Sequence, residues 1–206
     1  MTLLSLWTVA FSCLLAAAFS GCRSITPPVT FYTLRSISGE MADVSAVGNV
    51  AVTIGIRPVV FPGYLNRTQM VKRTSSHQLE ISSLHRWVDF PDRLVQQVLV
   101  ENLQVLMPDA RVFHSPWPVG LNPDLSITFQ FLELIGTTDK TMLLSAVWTI
   151  SGNDQPSVVQ SHRTTYSAPI SGSGYEDLAA AHSRALKDLC LAVARTLTVF
   201  LQTGTP

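Results

Sequence analysis

Charge is scarce in this chain of 206 residues: 14 Lys and Arg face 14 Asp and Glu, and the formal net charge is zero. A nucleic-acid binder needs a basic surface to neutralise phosphates, so nucleic acid is excluded as a partner. Histidine and cysteine are few as well, five and three. No His-Glu-x-x-His, no cysteine pair and no histidine pair at ligand spacing is present, so we assign no metal and no cofactor. Long apolar runs are missing beyond residue 21, which excludes a polytopic membrane protein. Core material is not lacking: 47% of residues are apolar, too many for a disordered chain. The length suits one domain.

The first 21 residues carry no charged side chain. Leu3 to Phe19 is an apolar helix former broken by small polar residues, and it ends in Phe19-Ser20-Gly21-Cys22. Small side chains before a break suit the narrow cleft of a signal peptidase. Ser20-Gly21-Cys22 resembles the lipobox of bacterial lipoproteins, in which the cysteine thiol takes a diacylglyceryl group and becomes the first residue after cleavage. Phe19 stands where lipoboxes usually carry Leu, and no Lys or Arg precedes the apolar run. The alternative reading is a transmembrane anchor or plain secretory peptide with Cys22 incidental. Acyl chains, at about 0.8 kcal/mol per buried methylene, would hold the domain on a membrane once two or more are attached. Cysteine usage fits lipidation. Cleavage discards Cys13, acylation consumes Cys22, and only Cys190 remains, so no internal disulfide can form. Cys190 lies among Leu186, Leu189, Val193 and Leu197 at helical spacing and reads as a buried hydrophobe. Arg23 follows Cys22, whereas the lipoprotein resemblance would require Asp there for retention in the inner membrane. An outer-membrane, periplasm-facing location is therefore expected. The chain divides into a signal peptide (1–21), a lipidated tether (22–30) containing Pro27-Pro28, and a domain (31–206).

Within the domain, Phe31 to Leu34 is a strand candidate and Ser36 to Gly48 a polar loop. Val50, Val52, Ile54 and Ile56 alternate with small or polar residues, the period of a half-buried strand that Pro58 ends. Met70–Thr74 and Gln78–Ser82 flank a turn and predict a hairpin. Asp89-Phe90-Pro91 opens a helix whose Leu94, Val95, Val98, Leu99 and Leu103 share a face; Pro108 stops it. Arg111–His114 is a further strand. Leu125–Ile135, Met142–Ile150 and Ser157–Ser167 predict a three-stranded antiparallel meander. Ser173-Gly174-Tyr175-Glu176 has the spacing of a capping box, Ser173 accepting from the Glu176 amide, for a helix running to about Gln202. Runs of strands and helices rather than strict alternation give an α+β fold: a single domain with a mainly antiparallel curved sheet and two helices on one face.

Catalytic residues are not evident. His77, His85, His114, His162 and His182 are dispersed, the acidic residues form no pair in sequence, and the Gly-x-Ser-x-Gly elbow is absent. Ser171-Gly172-Ser173-Gly174 lacks the lysine of a phosphate-binding loop and is explained by the helix cap. The distinctive stretch is Arg57 to Arg73, containing Pro62-Gly63-Tyr64-Leu65-Asn66-Arg67-Thr68-Gln69, followed by His85-Arg86-Trp87 and by Val100-Glu101-Asn102-Leu103. This order resembles the PqiC-type family of ABC-transport auxiliary lipoproteins, and Phe31-Tyr32-Thr33-Leu34 fits its opening. The likeness covers essentially the whole mature chain, with Asn66 where Asp is expected before the Arg and Phe90 where Leu is usual. It implies a non-enzymatic outer-membrane lipoprotein that works with a periplasm-spanning MCE-domain protein and an inner-membrane permease system. The cargo implied is phospholipid or another hydrophobic molecule, and the subunits would form a homo-oligomeric ring around a tube-shaped partner. Tyr64, Leu65, Arg67, Gln69, Arg86 and Trp87 match the family's signature, as partner-binding or lipid-path residues. The competing reading has Tyr64 and Trp87 packing beneath the loop and Arg67 pairing with a carboxylate such as Asp89. A stand-alone lipid- or small-ligand-binding lipoprotein is the alternative function; a periplasmic hydrolase would need a nucleophile and base not seen here.

Overall fold

The computed structural model describes residues 27–37, 50–152 and 158–203. Cys22, the apolar leader, most of the polar loop before Val50 and the turn at Asn153-Asp154 lie outside the described residues. In chain order the elements are β1 (Thr30–Tyr32), β2 (Thr53–Ile56), β3 (Gln69–Ser75), β4 (Gln78–Trp87), α1 (Pro91–Leu106), β5 (Arg111–His114), β6 (Leu125–Thr137), β7 (Thr141–Gly152), β8 (Val158–Pro169) and α2 (Tyr175–Thr203). The class is α+β, with eight strands in one sheet and two helices among the described residues.

The sheet is mixed, which corrects the expectation of a mainly antiparallel one. The β3–β4 hairpin and the β6–β7–β8 meander are antiparallel. β1 with β4, β2 with β5, β2 with β6 and β3 with β6 are parallel, so four of the seven strand pairings are parallel. The physical reason is that a hairpin is announced by turn residues between neighbouring runs. A parallel pair needs a long crossover and leaves no local mark.

β2 and β3 lie along the same edge of β6, β2 opposite Leu125–Ile127 and β3 opposite Gly136–Thr137. Between them the chain stays bonded to that strand. The Arg57 amide donates to the Ile127 carbonyl at 2.9 Å, the Val60 amide to Phe129 at 2.9 Å, and the Phe131 amide to Val60 at 2.8 Å. Residues 61–68 then leave the sheet as a loop before β3 rejoins it. That loop holds the signature residues.

Both helices share one core with the sheet. α1 contributes Leu94, Val95, Val98, Leu99, Leu103 and Leu106, and α2 contributes Leu178, Leu186, Leu189, Val193 and Leu197, against Phe129, Phe131, Leu144 and Trp148. Each such side chain, fully buried, stabilises the fold by roughly 1.5–3 kcal/mol relative to exposure. Gly136 is required by this packing, since a Cβ there would run into the Leu178 side chain. Two polar contacts tie the amino-terminal segment down. The Ile37 amide donates to buried Asn102 Oδ1 at 2.8 Å, and the Arg35 amide donates to Ser183 Oγ at 3.1 Å.

Pro91 opens α1 as expected, with Phe90 extended before it. The cap of α2 is displaced by one residue from the Ser173–Glu176 box. The helix begins at Tyr175, so Asp177 is its third residue, and its Oδ2 accepts from the Gly174 amide at 2.9 Å. Gly172 leaves room for that carboxylate; a Cβ there would collide with it.

Candidate functional site

The loop at residues 61–68 is shaped by its own backbone. The Leu65 and Asn66 amides donate to the Pro62 carbonyl at 2.9 and 3.1 Å, and the Arg67 amide to the Leu65 carbonyl at 2.9 Å. This tight turn drives Leu65 into a small second core with Val71 and Ile135. Phe61 anchors the loop's start, stacked on Phe131 at 4.6 Å with the rings 1° apart. Tyr64, at the tip, is left 39% exposed. Asn66 Oδ1 accepts from the Asp92 amide at 3.3 Å and so caps the first turn of α1 from outside the helix. The Trp87 amide donates to the Thr68 carbonyl at 2.6 Å, and Gln69 stands opposite Arg86 in the β3–β4 register. The structure therefore brings the two signature segments side by side.

Their side chains divide by role. Leu65 and Trp87 are buried, Trp87 lying edge-on to His182 at 5.1 Å between ring centroids. Alternation along β4 sends Arg86 to the face opposite Trp87. Arg67 and Arg86 are half-buried, and the Nε of each is shielded from solvent with no hydrogen-bond partner among the described residues. The expected Arg67–Asp89 pair is not formed: Asp89 pairs with Arg93 on α1 at 3.4 Å, one helical turn away and already within reach. The cavity beneath the loop, between Leu65, Gln69, Trp87 and His182, measures about 20 Å³. That admits one water and is too small for an acyl chain.

Two titratable groups sit inside the fold. Burial holds His182 down to about 4, against the opposing pull of the Leu178 and Leu134 carbonyls; its Nδ1 bonds the Leu178 oxygen at 2.8 Å. Burial pushes the Cys190 thiol up to about 12, with Asn102 beside it acting in the other direction. A third cluster joins the hairpin to α2. Tyr32 and His85 share a 2.9 Å hydrogen bond, His85 stacks on Tyr175 at 3.9 Å, Lys72 Nζ lies 3.8 Å from the centre of that ring, and the Tyr175 hydroxyl donates to Glu80 at 3.0 Å. Burial is the main cause raising the Tyr175 pKa. Among the described residues no group of three or more His, Cys, Asp or Glu could hold a metal ion.

The sequence did not point to a further, wider opening among the described residues. A groove of about 760 Å³ runs between residues 30–36 and the first half of α2. Arg35, Arg184, Lys187 and Glu176 supply its charges; Phe31, 62% exposed, and the small Ala179 and Ala180 supply its apolar surface. The only advance signal was Arg184 and Lys187, three apart on one helix face. Their meeting with β1 depends on the parallel pairing of that strand.

The signature residues thus gather around the loop at residues 61–68 and the adjoining end of β4, in an α+β domain with a mixed sheet. Residues 32–194 match the ABC-type transport auxiliary lipoprotein component family, and the chain belongs to it. It is therefore a lipoprotein of the cell envelope with an accessory role in ABC-type transport, and its family is not an enzyme class. Among solved structures it is similar to a Xanthomonas campestris protein of family DUF330, with TM-score 0.70, 12% identity, and coverage of 86% of this chain and 98% of that one. A protein described only as uncharacterized is similar at TM-score 0.68 and 17% identity, over 83% of this chain and 99% of the other. At these identities the likeness establishes the fold. No curated protein matches the chain.

Proposed function

We propose that this protein is the outer-membrane subunit of an MCE-type intermembrane transport system. Acylated at Cys22 and facing the periplasm, it receives the end of a periplasm-spanning MCE-domain partner that an inner-membrane permease system serves. Its contribution to moving phospholipids or other hydrophobic molecules is docking, with no chemistry of its own. A collar of identical copies suits a tube-shaped partner.

The observation that carries this reading is the composition of the loop surface. Tyr64 is exposed, and Arg67 in the same loop and Arg86 on the adjoining strand each carry a shielded nitrogen that has no acceptor within the described chain. Tyr and Arg are the residues most enriched where partners bind tightly, and an unpaired buried donor gains most from an acceptor brought by a partner.

The test is affinity purification of the full-length protein from gently solubilised envelopes, beside Cys22→Ala and Tyr64→Ala/Arg67→Ala forms. Mass spectrometry then reads the mature amino terminus and the co-eluting proteins. The expected result is an acylated Cys22 and an MCE-domain partner, with recovery of that partner falling about tenfold in the loop variant while its melting temperature is unchanged. An unmodified terminus with no MCE-domain partner overturns the proposal.

A further inference from the structure

We propose that the groove between β1 and α2 binds one anionic phospholipid, its phosphate held by Arg184 and Lys187 and its first methylenes lying over Ala179, Ala180 and Phe31. The volume, about 760 Å³, falls within the roughly 300–1,000 Å³ of small-molecule sites. Charge selects the ligand. In a chain of zero net charge, this groove gathers three cations, Arg35, Arg184 and Lys187, against the single carboxylate of Glu176. Among the described residues none of the three cations is in an ion pair, whereas Arg73 and Arg93 are paired with Glu133 and Asp89. Asp188, one turn along from Arg184, forms no ion pair with it among the described residues; burial and then Asp188 raise the Tyr166 pKa and Arg184 lowers it, so both charges lie near that hydroxyl.

Arg184 supplies the most specific sign. Its Nη2 is shielded from water and has no hydrogen-bond acceptor among the described residues, an arrangement that disfavours the empty groove. A phosphate oxygen supplies the missing acceptor in the geometry that a guanidinium fork matches best. The apolar half of the ligand is selected by Phe31, 62% exposed on a strand at the end of the sheet, and by the exposed Ala180 that lines the same groove. Position agrees. Thr30 is eight residues from Cys22, at most about 28 Å of extended chain, which keeps the groove within reach of the headgroup layer. This last step rests on the lipid-anchor reading; the charge and volume arguments do not.

The test uses the full-length protein in a non-ionic detergent, titrated under native mass spectrometry with dioleoylphosphatidylglycerol, dioleoylphosphatidylcholine or inorganic phosphate. We expect a single saturable adduct with phosphatidylglycerol, about tenfold tighter than with phosphatidylcholine, and no displacement by inorganic phosphate. Arg184→Ala/Lys187→Ala weakens that adduct about tenfold. Ala180→Phe, an exposed helix position, blocks it with every cation in place, so the proposal stays testable if the double variant fails to fold. Tyr64→Ala leaves it unchanged. Equal binding of the two lipids, displacement by free phosphate, or wild-type binding by Ala180→Phe would each overturn the site. Recovery of the MCE-domain partner is read on the same samples: partner recovered with no lipid adduct overturns the groove alone, whereas a lipid adduct with no partner recovered overturns the docking proposal alone.

Discussion

At the scale of single residues, the fold controls two side chains that would otherwise be reactive at neutral pH. His182 is held neutral by burial, to about 4 from an ordinary 6.5. Above 6.5 both the native and unfolded chains carry it uncharged, and it contributes nothing to pH dependence. As pH falls from 6.5 toward 4 the unfolded chain takes up the proton and the native one does not, so stability is lost over that window by up to about 3 kcal/mol. Urea melts at pH 7.5 and 4.5 should show a smaller acid loss for His182→Gln than for the wild type. Cys190, pushed up to about 12 and fully buried, should resist maleimide in the native protein and label promptly in denaturant. The sequence allowed the burial of Cys190 to be read from its helical neighbours. It gave no sign of His182, because a histidine on an apolar helix face looks the same whether solvent or a tryptophan edge lies opposite.

At the scale of elements, two amide side chains hold parts together that are distant in sequence. Asn66 caps α1 from the signature loop, so Asn66→Ala should lower stability by about 1 kcal/mol in denaturant titration, a loss usually reserved for a residue adjoining the helix. Asn102 is wholly buried and accepts from Ile37. Asn102→Ala should lower stability by roughly 1–3 kcal/mol by orphaning that amide, and protease cleavage near Ile37 should become faster. The helices, the β3–β4 hairpin and the β6–β7–β8 meander were legible because periodicity and turn residues are local. The pairing of β1, β2 and β3 with strands far along the chain was not, and it makes the sheet mixed. The α2 cap was misread for a narrower reason. Ser173–Glu176 and Gly174–Asp177 have the same spacing, and only the packing of the helix decides which pair meets.

At the scale of the whole molecule, the signature residues proved to be two kinds of thing. Leu65 and Trp87 are buried, whereas Tyr64 is exposed and Arg67 and Arg86 are half-buried. Sequence resemblance could mark all of them but could not divide them, since burial is decided by the loop's turn about Pro62 and by alternation along β4. The groove beside β1 uses a different set of residues, so partner recovery and lipid binding should be separable by mutation: Tyr64→Ala/Arg67→Ala should lower only the first and Ala180→Phe only the second.

The attachment of β1 has a mechanical meaning. This strand runs parallel to β4 through Thr30, Phe31 and Tyr32, opposite His85, Arg86 and Trp87, and the tether enters at its first residue. Tension along the tether, directed along the strand, therefore loads the β1 hydrogen bonds in shear, all together. An antiparallel edge strand tugged sideways would instead unzip one bond at a time. With Cys22 acylated as proposed, a strand of only three residues resists the pull of that anchor in this way and keeps the groove and its neighbouring helix in register with the sheet.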